Sequence, residues 1–160
     1  SDAWQDDEYF GAYSTLGIHR EMLTDEPRTL AYRNAVQLLA PLIEGRVVLD
    51  VGCGSGILSM FCATLGRAKH VYAIDASDVV RTAATKVFQE NGLLNTVITP
   101  LFGKVEDLEL PVPKAPLCDI HSCQVDVIIS EWMGTYMICE SMIDSVLVAR
   151  ERFLADDGIM

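Results

Sequence analysis

Glu131 and Glu140 flank a short, largely uncharged stretch (Trp132-Met133-Gly134-Thr135-Tyr136-Met137-Ile138-Cys139) that follows the apolar run Val127-Ile128-Ile129. Such a run reads as a buried strand, and open α/β sheets bind their ligands beyond the carboxyl ends of their strands. Two carboxylates placed there can hold one planar cation in a fork, and a guanidinium is the cation whose donors fit it. The plain alternative is that both acids face solvent, or that Glu140 serves the positive end of the following helix. Against this, the stretch has few polar side chains and reads as partly covered, where an unpaired carboxylate is costly. A cation has to come from the protein or from a ligand.

A second group of residues points to a cofactor. Val47-Val48-Leu49-Asp50-Val51 runs into Gly52-Cys53-Gly54-Ser55-Gly56, a strand entering a loop whose glycines permit a sharp turn and a close ligand approach. The spacing is GxGxG rather than the GxGxxG that brings a pyrophosphate to a helix amino end. A cofactor without phosphates needs that geometry less. Asp50 can accept from an ammonium or pin the loop backbone. Asp75, at the expected end of the next strand, stands where an acid takes ribose hydroxyls. Gly103-Lys104-Val105-Glu106 follows the third strand and can read an adenine edge, or be an exposed loop. Arg28, near a helix start, reads in isolation as a solvated helix arginine. A nucleoside cofactor and a bound cation on one sheet edge suggest group transfer to a guanidinium.

The elements that must position these residues follow from periodicity and punctuation. Thr24-Asp25-Glu26-Pro27 is a helix start, with a capping oxygen, first-turn acid and tolerated proline, and its apolar stripe runs to Gly45. Short apolar runs then predict strands over 47–51, 70–75, 97–102 and 125–130, with a fifth beginning at Gly158. Helices are expected over 57–65, 78–91 and 141–154. This alternation predicts an α/β class: a Rossmann-like, doubly wound, mostly parallel sheet preceded by N-terminal helices. Residues 1–24 read as a helical cover segment and 25–160 as the cofactor-binding domain. The prolines at 111, 113 and 116 deny a helix and mark an extended surface loop from Pro111 to Cys123.

The chain has 160 residues, half of them hydrophobic, enough for one well-buried domain. Its formal charge of −11 disfavours direct nucleic-acid binding and suits basic partners such as arginine-rich polypeptides, or simply solubility. No stretch approaches a membrane helix, and the acidic N-terminus is unlike a secretory signal. A soluble, intracellular protein is expected. Five irregularly spaced cysteines imply no disulfide framework. Cys118, His121 and Cys123 lack the paired spacing of a structural zinc site and read as incidental, so no metal is expected.

Taken together, these residues resemble the protein arginine methyltransferase family over essentially the whole chain. The likeness runs through Tyr9-Phe10 with Tyr13, Gly17-Ile18-His19, Met22, Arg28-Thr29 and Tyr32-Arg33. It continues through the segment from Val48 to Ser59, Gly103-Lys104-Val105-Glu106, and Ser130-Glu131-Trp132-Met133-Gly134 leading to Glu140-Ser141-Met142. The last segment is similar to that family's double-glutamate loop and is the most specific of these. The resemblance implies S-adenosyl-L-methionine as cofactor, with S-adenosyl-L-homocysteine as product. It implies that Arg28 clamps the cofactor carboxylate and that Asp50, Gly52 and Gly54 cradle its methionine part. Asp75 would hold the ribose, where the family often has glutamate. Val105 and Glu106 would address the adenine, and Phe10, His19, Met142 and Ser145 would line the pocket.

For the reaction, the resemblance implies that Glu131 and Glu140 grip the substrate guanidinium, with Met22 and Tyr13 bordering the transfer site. Expected acceptors are arginine-rich segments of histones or RNA-binding proteins, with asymmetric dimethylarginine as product, in a cytoplasmic or nuclear setting. The family continues into a β-barrel with a histidine-bearing loop and an arm that makes a homodimer. This chain is therefore expected to bind the cofactor and to methylate weakly alone. Two other classes remain: a nicotinamide-dependent oxidoreductase, disfavoured by the glycine spacing, and a non-catalytic module for arginine-rich tails.

Overall fold

A computed structural model of the chain describes residues 16–111, 124–133 and 142–160. Expectations for Phe10, Tyr13, Glu140 and the 112–123 loop lie outside these residues, as does the side chain of His19.

Helix α1 (Leu16–Thr24) leads into α2 (Glu26–Leu38), whose start is capped as the sequence predicts. The Asp25 carboxylate accepts the Arg28 amide at 3.2 Å, and Pro27 stands in the first turn. The expected single helix to Gly45 is instead two: α2 stops before Leu39, and a separate turn α3 spans Ala40–Ile43. Pro41 explains the break, since it has no amide to donate and its ring crowds the carbonyl of the preceding turn.

From there β1 (Val47–Val51), α4 (Ile57–Thr64), β2 (His70–Asp75), α5 (Thr85–Glu90), β3 (Ile98–Phe102), β4 (Val125–Ile129), α6 (Met142–Phe153) and β5 (Leu154–Ile159) follow in order. Two elements differ from expectation. The helix predicted over 78–91 contains a π-helical segment at Val80–Ala84, where the Thr82 hydroxyl donates to the Asp78 carbonyl at 3.0 Å and competes with the backbone ladder. The fifth strand begins at Leu154, directly on the end of α6, instead of at Gly158.

The sheet is parallel throughout, in the order β3-β2-β1-β4-β5. Chain order reverses between β1 and β4, which opens a crevice beyond their carboxyl ends. Neighbouring residues of β1 serve opposite faces, as a two-residue period requires. Val48 belongs to the core layer that holds Cys62, Phe88 and Ile98, and Leu49 to the layer that holds Tyr72, Val146 and Phe153. Two side-chain bonds fix β1 against β4: Asp126 Oδ2 accepts the Val47 amide at 2.7 Å, and the Ser130 hydroxyl donates to the Val51 carbonyl at 2.7 Å. The second bond anchors the residue before Glu131 to the residue before the glycine loop. No described helix is long and apolar enough to cross a membrane.

Candidate functional site

The glycine loop turns as its sequence demands. Gly52, Gly54 and Gly56 hold φ of 72°, 51° and 81°, the left-handed region that side chains resist. The Gly52 and Cys53 amides both donate to the Ile74 carbonyl at 2.9 Å, which ties the loop to the end of β2. A Cβ on Gly52 would run into the thioether end of Met142, so the two elements meet closely over the crevice.

Asp75 stands at the end of β2, and both its oxygens are engaged. Oδ2 accepts the Gly54 amide at 2.7 Å, while Oδ1 accepts the Ser77 amide at 2.7 Å and the Ser77 hydroxyl at 2.5 Å. The acid thus latches the glycine loop; Oδ1 is filled by its two bonds, and Oδ2 keeps a second lone pair for a further donor. Ser77 was not singled out from the sequence, although an acid two residues before a serine is a recurrent turn pattern.

Asp50 lies under the loop and is fully buried. Its Oδ2 accepts the Ser59 hydroxyl at 2.7 Å, and its Oδ1 has no hydrogen-bond partner among the described residues. Burial pushes the Asp50 carboxyl from 3.8 up to about 7; the Ser59 hydroxyl works against this and the Asp75 charge adds to it. Burial first, then the charges of Asp50 and Asp75, push the neighbouring Cys53 thiol well up, so it stays protonated and is a spacer, not a nucleophile.

Arg28 and Glu131 meet across the crevice. Arg28 Nε donates to Glu131 Oε1 at 3.0 Å and Nη2 donates to Oε2, a two-pronged pair with both side chains about three-quarters buried. The third nitrogen, Nη1, donates to the Met22 carbonyl at 3.1 Å, which brings α1 to the site, and the Tyr32 ring lies 5.7 Å from the guanidinium carbon. The cation that the sequence required beside Glu131 is therefore Arg28 of the same chain. Nothing in local spacing could reveal a pairing across that separation, and Tyr32 was missed as its companion.

A cavity of about 240 Å³ joins these features. It is lined by Met22, Arg28, Gly52, Gly54, Asp75, Val105, Glu106, Glu131, Met142 and Ser145, so every expected site residue with a described side chain borders it except Asp50, which supports its floor. On the far side, Val105 is buried, and Glu106 Oε1 accepts the Ser145 hydroxyl at 2.6 Å. Among the described residues there is no cluster of His, Cys, Asp and Glu able to hold a metal.

Residues 34–151 match a family model described as ribosomal protein L11 methyltransferase (PrmA). The chain is 50% identical over 154 residues to protein arginine N-methyltransferase 1 of Schizosaccharomyces pombe, covering 96% of this chain and 42% of that protein. Among solved structures, it resembles the Trypanosoma brucei PRMT1 enzyme–prozyme heterotetrameric complex with AdoHcy, at a TM-score of 0.80 and 43% identity over 93% of this chain and 43% of that one. It likewise resembles Arabidopsis thaliana protein arginine methyltransferase 10 in an open conformation, at a TM-score of 0.82 and 40% identity over 94% and 39% of the two chains. The chain spans about two fifths of the length of these relatives. The PrmA match fixes the methyltransferase fold, and identity of this level over nearly every residue narrows it: the chain belongs to the protein arginine N-methyltransferase family, of which it carries the methyltransferase sheet and its cleft.

Proposed function

We propose that this chain is the S-adenosyl-L-methionine-binding part of an enzyme that methylates arginine side chains in proteins. One observation carries the reading: Glu131, at the sheet's switch point, already takes a guanidinium in a two-pronged grip beside a glycine loop built over a buried, half-unpartnered carboxylate.

The residues present fit the cofactor. Arg28 suits its carboxylate, the glycine loop over Asp50 suits its ammonium, the open lone pair on Asp75 Oδ2 suits its ribose, and Val105 with Glu106 suits its adenine. When bound, the cofactor supplies an electrophilic methyl group on a sulfonium. The protein's part is to make the acceptor nucleophilic and to aim it. A guanidinium is protonated at all ordinary pH and is a poor nucleophile. A carboxylate fork on two of its nitrogens draws positive charge toward them, which restores lone-pair character to the remaining terminal nitrogen. The same negative charge lowers the repulsion between two cationic reactants, and fixed orientation alone is worth up to roughly 7–11 kcal/mol in the best cases. Glu131 is one arm of this fork and Glu140 is assigned as the other, with Met22 and Tyr13 bordering the reacting atoms. Family likeness supports arginine-rich acceptors such as histones or RNA-binding proteins, asymmetric dimethylarginine as product, a homodimer and a cytoplasmic or nuclear location.

Isothermal calorimetry with S-adenosylhomocysteine and with NAD tests the cofactor. The first is expected to bind and the second not; the reverse result removes the reading in favour of a dehydrogenase.

Binding is also expected to depend on pH through Asp50. In the free protein its pKa is about 7, well above the ordinary 3.8, so below neutrality it holds a proton. A cationic ammonium over the loop favours the ionised form, so binding below pH 7 expels that proton and affinity rises with pH until the free carboxyl is ionised. The expected gain is about tenfold between pH 6 and 8, from the protonated fraction lost over that interval. Calorimetry in buffers of different ionisation enthalpy should read close to one proton released at pH 6 and little at pH 8. Equal proton counts at both would remove Asp50 from the ammonium site.

A further inference from the structure

Arg152, in the last turn of α6, spends its guanidinium on another segment altogether. Nη1 donates to the Val105 carbonyl at 2.7 Å and the Glu106 carbonyl at 2.5 Å, while Nη2 donates to the Leu108 carbonyl at 2.9 Å and to Glu109 Oε1 at 3.2 Å. A basic side chain at a helix end ordinarily serves that helix's own terminal carbonyls. This one instead gathers three carbonyls of the loop after β3. Its carbon sits 4.7 Å from the ring of Phe153, which is buried in the core, so the anchor itself is fixed. About two turns earlier on α6, the Ser145 hydroxyl holds the Glu106 carboxylate at 2.6 Å. One helix therefore grips both the backbone and the side chain of the residue that borders the cavity.

We propose that Arg152 is a positioning residue for nucleobase recognition: by fixing the Val105 and Glu106 carbonyls, it aims the Glu106 amide and carboxylate at a purine edge. The geometry is set by the planar trans peptide, in which a carbonyl and the following amide point in opposite directions. Drawing the Val105 carbonyl toward α6 turns the Glu106 N–H to the other side of that peptide. An adenine edge presents an acceptor ring nitrogen beside an amino donor, which such an amide and a carboxylate acceptor complement. A hypoxanthine edge presents the reverse, a ring N–H beside a carbonyl. Val105 and Leu110 root this loop in the core, but Glu106, Asp107 and Glu109 are exposed, so the core does not itself set how the Glu106 group is turned. Residue Arg150, in the same turn, makes a 3.7 Å surface pair with Glu151 and provides the charge-matched control.

This inference rests on the cofactor reading above, and the test separates the two. S-adenosylhomocysteine and S-inosylhomocysteine are titrated by calorimetry into the protein and its R152Q, R152K and R150Q variants, with circular dichroism confirming the fold of each. A loop released so that it is competent about a tenth of the time weakens apparent affinity about tenfold. R152Q is therefore expected to lose about tenfold for the adenosyl ligand and much less for the inosyl ligand, so that the preference between them collapses. R150Q should match the native protein. R152K, which keeps the charge but offers one nitrogen where Arg152 uses two, should lose about threefold of the preference, and it carries the test alone if R152Q does not fold. An undiminished preference in R152Q (or in R152K, should it be the only folded variant) overturns the proposal. So does an equal loss for both ligands, which would make Arg152 a support of the whole cleft. Failure of the native protein to bind either ligand overturns the cofactor reading, and this inference with it.

Discussion

Replacing Glu131 by glutamine is expected to slow methyl transfer to an arginine peptide by about 10²–10³-fold, the cost typical of deleting one preorganised electrostatic group at a reacting centre. Affinity for S-adenosylhomocysteine should stay within about threefold, because the glycine loop, Asp75 and the Glu106 segment are untouched and each bears on a different part of the cofactor. The side chain keeps its shape and loses only its charge. A neutral amide presents one acceptor oxygen in place of the two that now take Arg28, so it cannot grip a guanidinium at both prongs. Single-turnover transfer of a labelled methyl group and calorimetry on the same preparations give the two quantities. The Arg28 pairing makes the comparison discriminating. A variant that transfers at the native rate frees Glu131 of any role in the reaction. One that loses cofactor affinity as steeply as turnover means that Glu131 works by holding Arg28 for the cofactor carboxylate, not by gripping the acceptor.

The sequence disclosed the scaffold more fully than the connections across it. Val47–Val51 and His70–Asp75 were legible to the residue because a central parallel strand covered on both faces must be continuously apolar. The fifth strand was misplaced for the converse reason. Leu154–Ile159 is an edge strand with Asp156 and Asp157 exposed, and acids on an edge blunt unwanted pairing while hiding the strand from an apolar pattern. The break after Leu38 was legible in principle, through Pro41, but an uninterrupted stripe of leucines outweighed it. Site residues at strand ends, Asp50, Asp75 and Glu131, declared themselves by position. Arg28 and Arg152 did not, since each is an ordinary helix arginine until folding brings a carboxylate or a row of carbonyls to it. Ser59 and Ser77 were silent in the same way, their importance lying wholly in the acids they hold.

Gly56 carries the largest expected effect on stability. It caps α4 at φ 81°, and a Cβ there would be driven into the ring of Phe88, which is fully buried on that face of the sheet. Two costs combine in Gly56→Ala: about 1–2 kcal/mol for a side chain in the left-handed region and about 1–3 kcal/mol for overpacking a filled core. The sum, about 2–5 kcal/mol, corresponds to a Tm lowered by roughly 4–20 °C for a chain of this length. Gly92 separates the two contributions. It holds φ 70° with no atom within 4 Å of the point where an alanine methyl would stand, so Gly92→Ala reports the backbone share alone. Thermal unfolding of both variants should place Gly56→Ala well below Gly92→Ala, the gap being the share owed to Phe88. Coincident melting temperatures would mean that the ring yields freely, and that the glycine is demanded by the turn over the cofactor cleft and not by the core beneath it.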